Sequence, residues 1–299
     1  MEKNKKSNNN KIIVITGPTA TGKTKLSVEL AKLLDGEIIN ADSTQVYKEM
    51  NIGTAKVTES EKENIPHHLF DIKKVTDNYT IYDYQKDCRK KINEIMKRGK
   101  TPILVGGTGL YIKAALYNYE FKDEEYYSEY NDLTNEEILE KIKEVENTDI
   151  HVNNRKRLVR ELNKINNNSL STGKANEKLY DFITIGLTTD RDNLYNRINK
   201  RVDSMLKDGL IGEAKYFYDM KLNTKAINTP ICYKELFMYF NNEISLDDAL
   251  DLIRKRSRNY AKRQYTFFKH QMDVKWFDVN YDDFNKTIKE VYNYIENSK

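Results

Sequence analysis

Nothing in this chain approaches the ~18 consecutive apolar residues that a membrane-spanning helix requires. The opening MEKNKKSNNNK is basic and polar and lacks the apolar core of an export signal. A soluble, cytoplasmic protein with a frayed tail over residues 1–10 is therefore expected. Cysteine is scarce: Cys88 and Cys232 lie in unrelated segments without C-x-x-C spacing, and the four histidines form no cluster. This argues against a disulfide framework and a structural zinc. A charge excess is missing too, since 50 basic residues face 46 acidic ones. A net charge of +4 announces no polyanionic partner, so the local distribution has to decide. No segment recurs at a fixed period.

What the chain does contain is core material. Apolar residues make up 38% of 299, and 21 tyrosines weigh against disorder. Short apolar runs alternate with helical patterns in the first third, which predicts a parallel sheet flanked by helices. IIVIT (12–16), EIINA (37–41) and PILVGG (102–107) read as strands. Helices are expected from Lys23, with Leu26, Leu30, Leu33 and Leu34 on one face, and over 83–98, stopped by Gly99. After residue 118 the texture changes to an acidic, tyrosine-rich stretch (122–132), a capping box at Thr134 and Glu137, a basic helical segment and a polar loop. Residues 119–181 therefore read as a mostly helical insertion between core segments 1–118 and 182–299. DFITIGL (181–187) restores strand character, a helix follows from about Asp190, and Ser245 with Asp248 caps a long helix running to about Gln271. VKWFDV (274–279) and a closing helix complete the core.

GPTATGKT (17–24) matches G-x-x-x-x-G-K-[ST] between a strand and a helix. Gly17 and Gly22 let the backbone curl so that the amides of Pro18-flanked Thr19, Ala20 and Thr21 face an anion. Lys23 adds a point charge and Thr24 a hydroxyl for magnesium. The motif specifies phosphate but not its owner. The acidic residue that an NTPase adds at a strand end is absent from VGGTG, whereas Asp42 follows the second strand at the same sheet edge. A turn or cap aspartate and a general base facing a phosphorylated substrate are both consistent with that position. His67 and His68 receive no role, and Thr108 offers a hydroxyl in a strand-to-helix turn.

Two segments are locally basic. In RKRLVRELNK (155–164), Leu158, Val159 and Leu162 share one face and Arg155, Lys156, Arg157 and Arg160 surround it. RKRSRNYAKRQYTFFK (254–269) has seven Lys or Arg, no acid, and Tyr260, Tyr265, Phe267 and Phe268 interleaved. Cations following a phosphate backbone with aromatics stacking on unpaired bases is one reading, and an amphipathic helix packing its aromatics on the core is the other.

Taken in order, GPTATGKT, NADSTQVYKEMNIGTAK, PHHLFD, PILVGGTGLYIKAAL, RINKRVDSML, YKEL and AKRQYTFFK resemble the tRNA dimethylallyltransferases, over most of the chain. The resemblance implies a P-loop NTPase-like α/β core with an inserted tRNA-binding domain. It further implies transfer of a dimethylallyl group from dimethylallyl diphosphate, with Mg2+, to the N6 amine of the adenosine 3′-adjacent to the anticodon. Asp42 would be the base, Lys23 and Arg201 would stabilise the leaving diphosphate, and Thr108 would line the channel. The tRNA would be gripped by Asp42, Ser43, Thr44 and Gln45, by Lys156 to Arg160 with Leu158 and Val159 between, and by Arg258, Lys262 and Arg263. One departure stands out: Cys232 precedes the tyrosine of YKEL where the family often has glycine. A nucleotide kinase and a nucleotide-switched RNA-binding protein are the competing readings. The first lacks an evident arginine-rich lid and the second leaves Asp42 and Arg201 idle. Free AMP as acceptor would leave the basic segments without purpose.

Overall fold

A computed structural model describes residues 11–121, 130, 132–145, 147–166 and 176–298. The tail, most of the acidic stretch and the polar loop at 167–175 lie outside the described residues. The apolar run Ile12–Thr16 forms β1, every residue of which is buried, as the central strand of a parallel sheet requires. Helix α1 (Lys23–Leu33) follows, then β2 (Gly36–Asn40), α2 (Glu59–Lys62) and β3 (His67–His68). Thr80 and Asp83 form a capping box, unanticipated from the sequence, that starts α3 (Ile81–Lys97), and Gly99 at φ 71° ends the turn beyond it. Next come β4 (Thr101–Val105), α4 (Gly109–Leu116), α5 (Asn135–Lys143), α6 (Arg155–Asn166), β5 (Phe182–Thr188) and α7 (Arg191–Lys207). The chain ends with α8 (Leu210–Asp219), α9 (Lys225–Asn228), α10 (Tyr233–Phe240), α11 (Leu246–Gln271), β6 (Lys275–Asp278) and α12 (Phe284–Asn297).

All six strands are parallel, in the order β3-β2-β4-β1-β5-β6. Ile13, Ile15, Ile38, Ile103, Ile185 and Leu187 bury one sheet face against Leu26 and Leu30 of α1 and Ile288, Val291 and Ile295 of α12. Leu33, expected on the buried face of α1, is instead 52% exposed. Seven positions after Leu26 it keeps nearly the same angular face, but it is the last residue of the helix, just before the chain turns into β2. Helix α3 covers β2 and β4. Since β1 sits between β4 and β5, the C-terminal ends of β1, β2, β4 and β5 converge on one edge, where the strand order reverses and ligands bind.

The chain divides into a core unit, 1–116 with 179–299, and a smaller unit, 117–178. Within the core, Leu179 N–H donates to Leu116 O at 2.9 Å, so the two ends that flank the smaller unit are hydrogen-bonded neighbours. The smaller unit has a core of its own, formed by Tyr130, Ile138, Ile142, Ile150, Leu158 and Leu162.

Candidate active site

The loop between β1 and α1 is held open. Gly17 has φ 134°, and a Cβ there would lie 2.4 Å from Leu187 O on the neighbouring strand, so no other residue fits. Gly22 caps α1 at φ 90° without a side-chain hydrogen bond, and the first turn carries no acid. The amides of that turn therefore remain open to an anion, reinforced by the helix dipole. Lys23 Nζ donates to Gly17 O at 2.9 Å and Pro18 O at 2.7 Å, bracing the loop from its own end. Burial and the nearby Arg201 guanidinium push Lys23 down to about 7, against an upward pull from Asp42. Thr21 is buried and turns its hydroxyl onto Pro18 O, and Ala20 takes φ 66°. The Thr24 hydroxyl has no partner among the described residues.

A cavity of about 350 Å³ opens beside this loop. Thr19, Asp42, Ser43, Thr44, Thr108, Arg201 and Arg263 line it, so residues from five separate stretches of sequence meet there. Arg201, on α7, donates to Thr19 Oγ1 at 3.1 Å, and burial lowers its pKa. One turn earlier, Arg197 donates to Ala20 O at 3.0 Å and stacks on Tyr281 at 3.8 Å. Ile198, Val202, Met205, Ile231 and Ile253 supply an apolar wall.

Asp42 is placed by its neighbours. The buried Asn40 side chain accepts from Asp42 N–H at 2.8 Å and donates to Asp42 O and Leu69 O. Thr44 donates both its N–H (2.9 Å) and its hydroxyl (2.7 Å) to Asp42 Oδ1. That leaves Oδ2 without a hydrogen-bond partner among the described residues. Thr108 accepts from Ser43 N–H at 3.0 Å, while its own N–H donates to Ala41 O at 3.1 Å, tying the two loops together. Gly106 permits this approach, since a Cβ there would come within 2.2 Å of the Ala41 backbone. Half-buried Tyr260 lines the cavity from α11, and desolvation, then the Asp42 carboxylate, raises its hydroxyl pKa.

The sequence did not single out Gln264. Buried on α11, it accepts from Thr19 N–H at 3.0 Å and donates to Gly107 O at 3.1 Å, which staples the phosphate loop to the β4–α4 turn. A signal existed: Gln264 lies between Ala261 and Phe268 on the buried stripe of the helix, where an uncharged polar residue needs fixed partners.

The residues expected to grip RNA separate into two groups. Lys262 and Arg263 are exposed, but Arg258 donates to Asn199 Oδ1 at 2.8 Å and sits over Tyr195. The phenylalanines of α11 do not form an open stacking surface. Phe268 is fully buried and Phe267 lies against Gly109, so packing accounts for these two, whereas Tyr260 lines the cavity and Tyr265 is exposed beside Trp276. Gln45 donates its amide to Thr54 O and Ala55 O. In the smaller unit Lys156, Arg157 and Arg160 are exposed, whereas Leu158 is fully buried in that unit's core and Val159 packs beside it. Leu158 is therefore removed from the surface, while Val159 stays partly exposed.

A magnesium site made wholly of protein is not evident, since no group of three His, Cys, Asp or Glu among the described residues is arranged to hold a metal. The free Thr24 hydroxyl beside an open anion cradle fits the other kind, in which Mg2+ keeps most of its shell from water and phosphate oxygens.

The family model for IPP transferase matches residues 45–271. A tRNA dimethylallyltransferase of Anoxybacillus flavithermus is 43% identical, covering 96% of both chains, and that of Bacillus subtilis is 42% identical over 95% of this chain and 96% of its own. The crystal structure of a tRNA isopentenylpyrophosphate transferase from Bacillus halodurans superposes with a TM-score of 0.77 at 41% identity, covering 96% of each chain. A eukaryotic dimethylallyltransferase acting on tRNA superposes at 0.75 with 28% identity, covering 90% of this chain and 73% of its own.

Proposed function

The chain belongs to the IPP transferase family, and on that footing we propose that it transfers the dimethylallyl group of dimethylallyl diphosphate to the N6 amine of the adenosine 3′-adjacent to the anticodon of tRNA. The observation that carries this reading is the shared cavity, in which an anion cradle with Arg201, an apolar wall and the free oxygen of Asp42 meet. A kinase needs a nucleotide site and a hydrolase needs a positioned water, but an alkyl transfer needs these three features together.

The chemistry follows from the groups present. The adenine N6 lone pair forms the new bond to the allylic carbon as the bond from that carbon to diphosphate oxygen breaks. An aryl amine is a weak nucleophile, so removal of its proton as the C–N bond forms matters, and Asp42 Oδ2 is the acceptor. Thr44, bonded to Oδ1, and Asn40, bonded to the Asp42 backbone, keep that oxygen directed. The electron pair leaves with diphosphate, where Lys23, the open amides of α1 and Arg201 stabilise the growing charge. Magnesium, held by the Thr24 hydroxyl and the donor's own phosphate oxygens, would neutralise part of that charge when bound. Thr108 fixes the Asp42 loop against β4, and the apolar wall accommodates a five-carbon chain and excludes water from the allylic centre.

The acceptor is read as an anticodon stem-loop rather than a mononucleotide because Arg263 lines the cavity with exposed Lys262 beside it in the chain, and α6 offers Lys156, Arg157 and Arg160. We read the enzyme as acting as a monomer in the cytoplasm, and two buried free cysteines suit that reducing compartment. The test is incubation with unmodified tRNA, dimethylallyl diphosphate and magnesium, followed by mass spectrometry of the nucleosides. Appearance of dimethylallyladenosine is expected. ATP turnover without prenyl transfer would overturn the assignment.

A further inference from the structure

Loop 51–56 forms one wall of the cavity through Gly53, Thr54 and Ala55, and it is held from both sides. Gln45 takes the carbonyls of Thr54 and Ala55. The amides are taken by a single carboxylate. Glu213, near the start of α8, accepts from Asn51 N–H at 2.9 Å and Ile52 N–H at 2.8 Å through Oε2, and from Gly53 N–H at 2.8 Å through Oε1. The Tyr233 hydroxyl adds a fourth bond to Oε1 at 2.8 Å. Three successive amides pointing to one spot make a concave anion nest, and here the anion is a side chain of the same chain.

The other face of that loop rests on the Cys232–Tyr233 corner. Cys232 Sγ lies 3.6 Å from Gly53 O, and a Cβ at Gly53 would meet Sγ at 2.6 Å and the Tyr233 ring at 2.8 Å. Cys232 itself has φ 150°, in the region glycine tolerates, and is kept there by its N–H bond to Glu235 Oε2 at 2.9 Å, with Arg256 paired to the same carboxylate. Next to it, Thr229, Pro230 and Ile231 continue the cavity wall. The two wall segments are thus fastened to each other through Glu213 and Tyr233.

We propose that Glu213 is a positioning residue for the acceptor: by latching the Asn51–Gly53 backbone to the Tyr233 corner, it sets the spacing of the wall against which the adenine is presented to Asp42. The proposal rests on the prenyl-transfer reading and deepens it. Glu213 touches neither the phosphate loop nor Arg201, so donor binding is independent of it, and this distinguishes positioning from a general loss of structure.

Steady-state kinetics on the full chain, with donor affinity measured separately by equilibrium binding, provide the test. Glu213→Gln puts an amide in place of one acceptor oxygen and faces N–H donors with another donor. The KM for tRNA should rise about tenfold and kcat fall several-fold, with the donor Kd unchanged within about twofold. Tyr233→Phe removes one bond of four and should raise the tRNA KM about two- to threefold without shifting Tm. Glu213→Gln kinetics equal to wild type, or a donor Kd that weakens in step with the tRNA KM, would overturn the proposal. If Glu213→Gln is insoluble, Tyr233→Phe decides alone: a raised tRNA KM supports the latch and a wild-type value rejects it. A wild-type enzyme that prenylates tRNA beside indifferent variants rejects only the latch, whereas an inactive wild type rejects the functional reading beneath it.

Discussion

Lys23, brought down to about 7 by burial and by Arg201, is a proton store inside the anion cradle. A bound diphosphate favours the ammonium form, so binding above that pH takes up a proton. Below about 7 the lysine is already charged and contributes no pH dependence. Above it, the Kd for dimethylallyl diphosphate should rise with pH, by at most about tenfold per unit. Calorimetric titrations in buffers of different ionisation enthalpy check the proton uptake, and Lys23→Arg, which stays charged, should flatten the slope. Asp42 acts at a different stage. Asp42→Ala is expected to lower kcat by about 100-fold or more while tRNA affinity stays near wild type, as single-turnover and filter-binding measurements would show. An active Asp42→Ala enzyme would remove the base assignment.

Helix α11 serves two surfaces at once. Its inner stripe carries Ile253, Ala261, Gln264 and Phe268, and its outer face carries Lys262 and Arg263. Replacing Lys262 and Arg263 with alanine should weaken tRNA binding and reduce the slope of log K against log salt by roughly two, one per phosphate contact. Arg258→Ala, whose guanidinium already serves Asn199 and Tyr195, should leave that slope unchanged and instead lower Tm. The start of this helix was legible because Ser245 and Asp248 make a local cap, and β1 because a fully buried strand reads as an apolar run. Asp42 and the phosphate loop were legible for a similar reason: their places at strand ends follow from short-range pattern. What escaped was determined by long-range partners. Gln264 finds Thr19 across 245 positions and Glu213 finds Gly53 across 160, and no local periodicity encodes either pairing. The two-residue β3 and the short α9 are too brief to generate a period at all.

At the scale of the molecule, the parallel sheet gathers the chemistry and the smaller unit stands apart from it in sequence. Because Leu116 and Leu179 are already bonded to each other, replacing 117–178 with a short Gly-Ser linker should leave the core folded. Donor affinity is expected to survive within a few-fold, while tRNA affinity falls by an order of magnitude or more with the loss of the α6 cations. Calorimetry with the donor and filter binding with tRNA would separate the two effects. No described helix is long and apolar enough to cross a membrane. The Leu116–Leu179 junction has a further consequence. A segment whose two ends meet in one hydrogen bond can grow with little penalty, about 0.6 kcal/mol for each doubling of loop length. The attachment can therefore lengthen, shorten or be exchanged while the Leu116–Leu179 bond that closes the core stays in place.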